Sequence, residues 1–380
     1  MNEHPLTVTC HRTPEALTRL ADAWDRLLDK ALVKTPFATH EWQAAWWKHF
    51  GRHQSLYLLS VERQGELVAI APFMLGRRGP FRLLQFIGTG RSDYLDFIIA
   101  AHCREALPAI IAYLARHADE WDLISLEDWA EDSAHLARWR DLLPETGWQC
   151  SIRPSTVCPK LSCENGWGAY LQSKSSKHRK NLRRLERHVE HSPHLRIRSG
   201  RDWEVAAQLS SIVRIESRSW KMAQGNPRIT GPTATLFFSE LFEAFRRRNW
   251  LETWYLLHDD EPVAYTINYL YDGKLYFYNV AYDLRHADQS PGTALTMHVL
   301  RNAFERRIVE YDFLRGDEPY KRLWTHEARQ LYHAVIIGRG LRARLAYALL
   351  IAPRWLVRRS AWLRRLAARV KPFVTRRVPA

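Results

Sequence analysis

The chain has 380 residues, 46% of them hydrophobic, with sixteen tryptophans and fifteen tyrosines. That content supplies roughly two packed domains of about 100–200 residues each and argues against a disordered chain. The net charge of +15 favours anionic partners: CoA, nucleotide-linked substrates, tRNA or an anionic membrane surface, without choosing among them.

The first residues, Met1 to Lys30, are polar and lack the apolar stretch of a signal peptide, and no uninterrupted apolar run reaches the roughly 18 residues of a spanning helix. Cys10, Cys103, Cys150, Cys158 and Cys163 are odd in number and match no zinc spacing. They read as reduced thiols of a cytoplasmic protein. Thr13-Pro14-Glu15 opens a helix with Leu17, Leu20, Trp24, Leu27 and Leu28 on one face. A Trp-rich helix from His40 to Phe50 follows. Ser55–Arg63 and Glu66–Leu75 read as a hairpin across Gln64-Gly65. Phe81–Gly88 and Tyr94–Ile99 read as strands, His102–Ala118 as a helix, Trp121–Leu126 as a strand, Ser133–Leu143 as a helix and Trp148–Leu161 as strand-rich.

The second half starts with one basic helix from Gly166 to about Glu190 and a short strand at Arg196–Arg198. Helices at Trp203–Trp220 and Thr233–Asn249 precede a hairpin of Leu251–Leu257 and Pro262–Tyr271. Tyr276–Tyr282 is a buried strand, followed by a loop from Asp283 to Gln289. Ser290-Pro291-Gly292-Thr293 then starts a helix, with Ser290 suited to the N-cap and Pro291 to the first helical position. Val309–Leu314 is a second strand, which completes a parallel crossover. A short helix near Tyr320–Thr325 and a strand at Leu331–Ile337 follow. The first amides of such a helix point outward and suit phosphate, although Ser-Pro-Gly is equally an ordinary helix start. The halves look like weak internal repeats: Arg63–Phe73 parallels Asp259–Tyr269, and Trp121–Leu126 parallels Glu310–Leu314. No nucleophile elbow, Walker loop, zinc pattern or dinucleotide fingerprint is present.

The element order, the Ser290-Pro291-Gly292 helix start, the segment Tyr311-Asp312-Phe313-Leu314-Arg315-Gly316-Asp317-Glu318-Pro319-Tyr320-Lys321-Arg322-Leu323-Trp324 and the basic run Ser176-Lys177-His178-Arg179-Lys180-Asn181-Leu182-Arg183-Arg184 resemble the CelD-type (BioF-like) branch of the GNAT acyltransferase superfamily. That branch is related to the FemAB aminoacyltransferases. The resemblance runs from about Pro36 to Ile337. It implies an α/β (α+β, mixed-sheet) fold of two tandem GNAT-like domains plus a basic helical tail. The expected divisions are a degenerate acceptor-side domain over 1–165, an acyl-donor domain over 166–338 and the tail over 339–380.

The resemblance also implies acetyl-CoA or another acyl-CoA as co-substrate, with no metal. Arg285-His286-Ala287-Asp288-Gln289-Ser290-Pro291-Gly292 is a degenerate form of the GNAT pyrophosphate loop, so Arg285, Gln289, Ser290, Gly292 and Thr293 are the donor-binding candidates. Asp317 or Glu318 is the candidate general base, or a loop cap. Lys321 loosely matches a functional lysine of FemAB relatives and could stabilise the oxyanion or an acceptor anion; a surface ion pair is the alternative. Tyr278 could protonate a thiolate or be a core tyrosine. Glu216 and Trp220 lie one helical turn apart and could face the cleft, or be a cap and a core residue. Trp324 is a further substrate-side candidate. Lys177 and Arg184 share a helical face with Lys180 and Arg187, as an anion clamp or as solvated surface.

After Glu327 no acidic residue occurs, and the tail interleaves arginines with Trp and Leu. Such a segment suits an anionic membrane interface, packing on the protein, or fraying. The function implied is transfer of an acyl group, acetyl foremost, from acyl-CoA to an amine of a small-molecule, polysaccharide or cell-envelope acceptor. Localisation is expected to be cytoplasmic or peripheral at the inner membrane face. The rivals are a FemAB-like aminoacyltransferase using aminoacyl-tRNA and a non-catalytic envelope factor.

Overall fold

The computed structural model describes residues 5–353. The first half runs β1 (Thr7–His11), α1 (Glu15–Lys30), α2 (His40–Phe50), β2 (Ser55–Arg63), β3 (Glu66–Arg78), β4 (Phe81–Phe86), β5 (Ile98–Ile99), α3 (Ala106–Arg116), β6 (Leu123–Ala130), α4 (Ala134–Thr146) and β7 (Gln149–Ser162). The second runs α5 (Gly166–Ser173), α6 (Ser176–His191), β8 (Leu195–Ser199), α7 (Val205–Ser217), α8 (Trp220–Ala223), α9 (Pro232–Arg247), β9 (Leu251–His258), β10 (Glu261–Tyr271), β11 (Lys274–Tyr282), α10 (Pro291–Glu305), β12 (Glu310–Asp312), α11 (Pro319–Arg322), β13 (Ala328–Ile337) and α12 (Leu341–Ala346).

Each half begins as an antiparallel meander. The hairpin turns place two consecutive residues at positive φ, Gln64-Gly65 and Asp272-Gly273, which matches the twist of the flanking strands. Each meander then crosses through a helix to a parallel strand. Leu83 pairs with Leu123 in the first half, and Lys274 with Glu310 in the second.

The closing strands are exchanged. β7 pairs antiparallel with β12 of the second half, and β13 lies between β6 and β7. All strands therefore join one sheet in the order β1-β2-β3-β4-β6-β13-β7-β12-β11-β10-β9-β8, with β5 on β3. The seam is pinned by Arg329 of β13, which donates to Asp312 at 3.0 Å, Glu310 at 3.1 Å and Asp132 at 2.7 Å. The core also crosses the seam: Trp42 of α2 meets the rings of Phe237, Phe245, Tyr269 and Tyr278 at 5.5–6.3 Å.

Several elements differ from their sequence patterns. The basic stretch 166–190 is two helices, because Ser175 leaves the helix and caps α6 by accepting from the His178 amide at 3.2 Å. The 203–220 run ends at Ser217, and α8 restarts under a Ser219 cap. Tyr94–Ile99 keeps only two strand residues, as Tyr94 takes φ 54°. The start of the tail packs on the first half: Ala343, Ala346 and Ile351 cover Phe81, Leu83, Leu123, Val335 and Ile337. The tail beyond Pro353 lies outside the described residues. Among the described residues no helix is long and apolar enough to cross a membrane, and no group of three or more His, Cys, Asp or Glu could hold a metal ion.

Candidate active site

β11 and β12 pair over only three positions, Lys274↔Glu310 to Tyr276↔Asp312. β11 then continues to Tyr282 while β12 stops, so the two strands part. Among the described residues, the edge of β11 beyond Tyr276 has no strand neighbour on that side, and its backbone groups are open to an extended, amide-bearing chain. The gap is a cleft of about 350 Å3 at the carboxyl ends of the parallel strands, where α/β sheets generally bind ligands. Phe277–Val280 form one wall and Phe313–Gly316 the other. Gly90 and Asp93 close it from the first half.

The cleft is rich in cationic groups. Lys321 of α11 is 4% exposed, and its ammonium donates to the carbonyls of Leu314 at 3.1 Å and Arg315 at 2.8 Å. Glu318 lies 3.0 Å from the same nitrogen. Gly316 has φ 121°, and a Cβ there would sit 2.4 Å from the Glu318 carboxylate, so glycine is what lets Glu318 fold back onto Lys321. Lys221 of α8 donates to the Asn279 side-chain oxygen on the opposite wall. Burial pushes the Lys221 pKa down to about 7, against the attraction of Glu216. The Arg228 guanidinium lies 5.2 Å over the Tyr278 ring. Arg315 ties the cleft to the first half, pairing with Asp93 at 3.2 Å and with Asp128.

Of the residues singled out in the sequence, Glu318, Lys321, Tyr278 and Trp220 line this cleft together. Tyr278 has its hydroxyl engaged with the Arg91 carbonyl at 3.1 Å, and burial raises its pKa. Asp317 is outside the lining and pairs with Arg322 on the surface. Glu216 is fully buried beneath the cleft. Its carboxylate accepts from the amides of Arg228 at 3.0 Å, Ile229 at 2.8 Å and Thr230 at 2.7 Å. It thereby fixes the loop that presents Arg228. Trp324 is 1% exposed and packs edge-on to the His178 ring. Lys177 and Arg184 are exposed on α6.

The donor-loop residues stand at the start of α10. Ser290 adopts a left-handed conformation (φ 53°), and its side chain makes no cap bond. Its carbonyl accepts from both Thr293 and Ala294 at 3.1 Å, and Pro291 has no amide hydrogen, so the Gly292 amide is the donor left at this helix start. Arg285 is paired with Asp283 at 2.7 Å. Gln289 has a buried side-chain oxygen without a partner. None of the donor-loop residues lines the cleft; for acyl-CoA, the open edge of β11 offers backbone bonds to the thioester arm, while the loop offers the pyrophosphate little beyond the Gly292 amide.

Sequence reasoning did not select Lys221, Arg228, Asn279 or Arg315. Lys221 directly follows Trp220 and Asn279 follows Tyr278, so each adjoins a selected residue. What was hidden is the close approach of α8 to β11 and the docking of Arg315 onto Asp93.

A family model described as "Acetyltransferase (GNAT) domain" matches residues 176–322. Among curated proteins no sequence relative matches. The fold is similar to a crystal structure of FemX (11% identity, TM-score 0.61, 90% of this chain and 99% of that chain). It is also similar to the C-terminal domain of a putative lysylphosphatidylglycerol synthetase from Agrobacterium fabrum (10%, 0.55, 90% and 96%) and to L-PGS from Bacillus licheniformis (10%, 0.55, 89% and 96%). The architecture is thus a GNAT-type acyltransferase fold of two GNAT-like units.

Proposed function

We propose that the chain transfers an acyl group, acetyl foremost, from acyl-CoA to an amine, at the cleft between β11 and β12. The observation that carries this reading is the parting of the two strands over a pocket holding Lys221, Glu318 and Lys321. When bound, acyl-CoA would supply the activated thioester carbonyl. The open edge of β11 holds an extended amide chain by backbone bonds. With a pKa of about 7, Lys221 is substantially neutral at physiological pH and can take the proton from an attacking amine. Lys321, held by carbonyls of the 314–316 turn, presents positive charge where an oxyanion would form. Glu318 keeps that ammonium in place. Under this reading 166–338 is the donor unit, 1–165 the acceptor side and 339–380 a basic tail. The acceptor is a small-molecule, polysaccharide or cell-envelope amine.

The test is calorimetric titration with acetyl-CoA, longer acyl-CoAs and free CoA, alongside Gly292→Trp. Any side chain at position 292 would crowd Tyr282, because a Cβ there meets its ring at 3.1 Å. Micromolar binding that the variant weakens supports the reading; no binding to any CoA species sinks it. A second reading, aminoacyl transfer from aminoacyl-tRNA, is favoured by the exposed α6 face of Lys177, Lys180, Arg184 and Arg187 and by the likeness to FemX. Binding of aminoacyl-tRNA that weakens steeply with salt, with no CoA binding, would select it.

A further inference from the structure

The first half repeats the parting of parallel strands and encloses a second cavity. β4 and β6 pair only at Leu83↔Leu123 and Leu84↔Ile124. Alternate residues beyond that point, Gln85 on β4 with Ser125 and Glu127 on β6, face one side of the sheet and line a cavity of about 350 Å3. Trp46 and Phe50 of α2 form its apolar wall. Leu350 and Ile351, from the segment after α12, form part of its lining.

Three polar groups on its lining residues lack partners. Trp46 is 5% exposed, and its indole N–H is buried with no acceptor. The Gln54 side-chain oxygen is buried with no donor. Glu127 is half-buried and enters no ion pair or hydrogen bond among the described residues. Buried polar groups are ordinarily satisfied, so the Trp46 and Gln54 groups stand out as orphans. Two of the three groups, Gln54 and Glu127, accept hydrogen bonds. The third donates. The rest of the lining mixes apolar side chains with Gln85, Thr89, Ser125 and the exposed Arg78.

We propose that this cavity is a binding site for a small organic ammonium compound with an apolar body and one hydrogen-bond acceptor. The ammonium meets Glu127 and the Gln54 oxygen, the acceptor takes the Trp46 N–H, and the body lies against Phe50, Leu83 and Ile351. The site is separate from the cationic cleft, although Gly90 borders both cavities. It does not depend on the acyl-donor reading.

The experiment is ligand-observed NMR titration of the full chain with three probes of one shape, each with a phenol oxygen as the acceptor: tyramine (cationic), tyrosol (neutral) and 3-(4-hydroxyphenyl)propionate (anionic). Saturable binding of tyramine, roughly tenfold tighter than tyrosol and tighter still than the anion, is expected. Glu127→Gln should remove most of that preference, and Trp46→Phe, which keeps an aromatic ring and deletes the N–H, should weaken the amine. Absence of saturable amine binding, equal affinity for amine and alcohol, or an amine affinity untouched by both variants would overturn the proposal. If either variant fails to fold, the ranking of the three probes on the wild-type chain still decides it.

Discussion

Glu216 offers the sharpest test of how the cleft is built. Its carboxylate accepts from three consecutive amides, Arg228 to Thr230, from the Thr230 hydroxyl at 3.0 Å and from Tyr265 at 3.3 Å. Hydrogen bonds to a charged group contribute about 1.5–3 kcal/mol each, and a buried amide left unmade costs about 1–3 kcal/mol. These contributions do not add fully, so Glu216→Ala should cost on the order of 4–5 kcal/mol. Glu216→Gln keeps one acceptor oxygen but turns an NH2 toward amide donors, and should cost roughly 2–3 kcal/mol. Glu243→Gln, in an exposed pair with Arg246, should change stability by less than about 0.5 kcal/mol.

Burial alone would raise the Glu216 pKa, but the amide bonds outweigh it and hold the group below its ordinary 4.5. Its contribution is therefore full above that value and is lost as pH falls through the lower folded pKa. Urea unfolding from pH 3 to 7 reads both effects. An Ala variant within about 1 kcal/mol of wild type, with an unchanged acid limb, would refute the anchor.

Three further outcomes follow from the geometry. The folded Lys221 binds fewer protons than the unfolded chain between about 7 and its ordinary 10.5, so wild-type stability should rise with pH across that window; in Lys221→Met the rise should shrink by on the order of 2–4 kcal/mol, read from melts at pH 6.5 and 9.5. Arg329→Met strands the buried Asp312 carboxylate and should cost roughly 3–5 kcal/mol in chemical denaturation. Gly316→Ala forces the Glu318 carboxylate away and strains a φ of 121°; a loss of about 1–3 kcal/mol is expected, with weakened CoA binding by calorimetry.

The meanders and the parallel crossover of the second half were legible because turn pairs such as Gln64-Gly65 and the period of Tyr276–Tyr282 are local signals. The exchange of β7 and β13 was not legible. Strand partners are chosen by long-range packing, and nothing in the segment 328–337 marks it for the first-half sheet. Site residues divide the same way. Glu318 and Lys321 are neighbours in sequence and could be paired from spacing. Lys221 owes its setting to Asn279, 58 residues away, and Arg315 to Asp93, 222 residues away. Glu216 stands out in the sequence, but only the fold shows its carboxylate already filled by the 228–230 loop.

The central claim, that the donor occupies the gap between β11 and β12, is tested most directly by hydrogen exchange with and without acetyl-CoA. The account predicts slowed exchange in peptides covering 274–282 and 310–322, and no change in those covering 81–86 and 123–130. Protection confined to the first-half strands, or none at saturating acetyl-CoA, would contradict it.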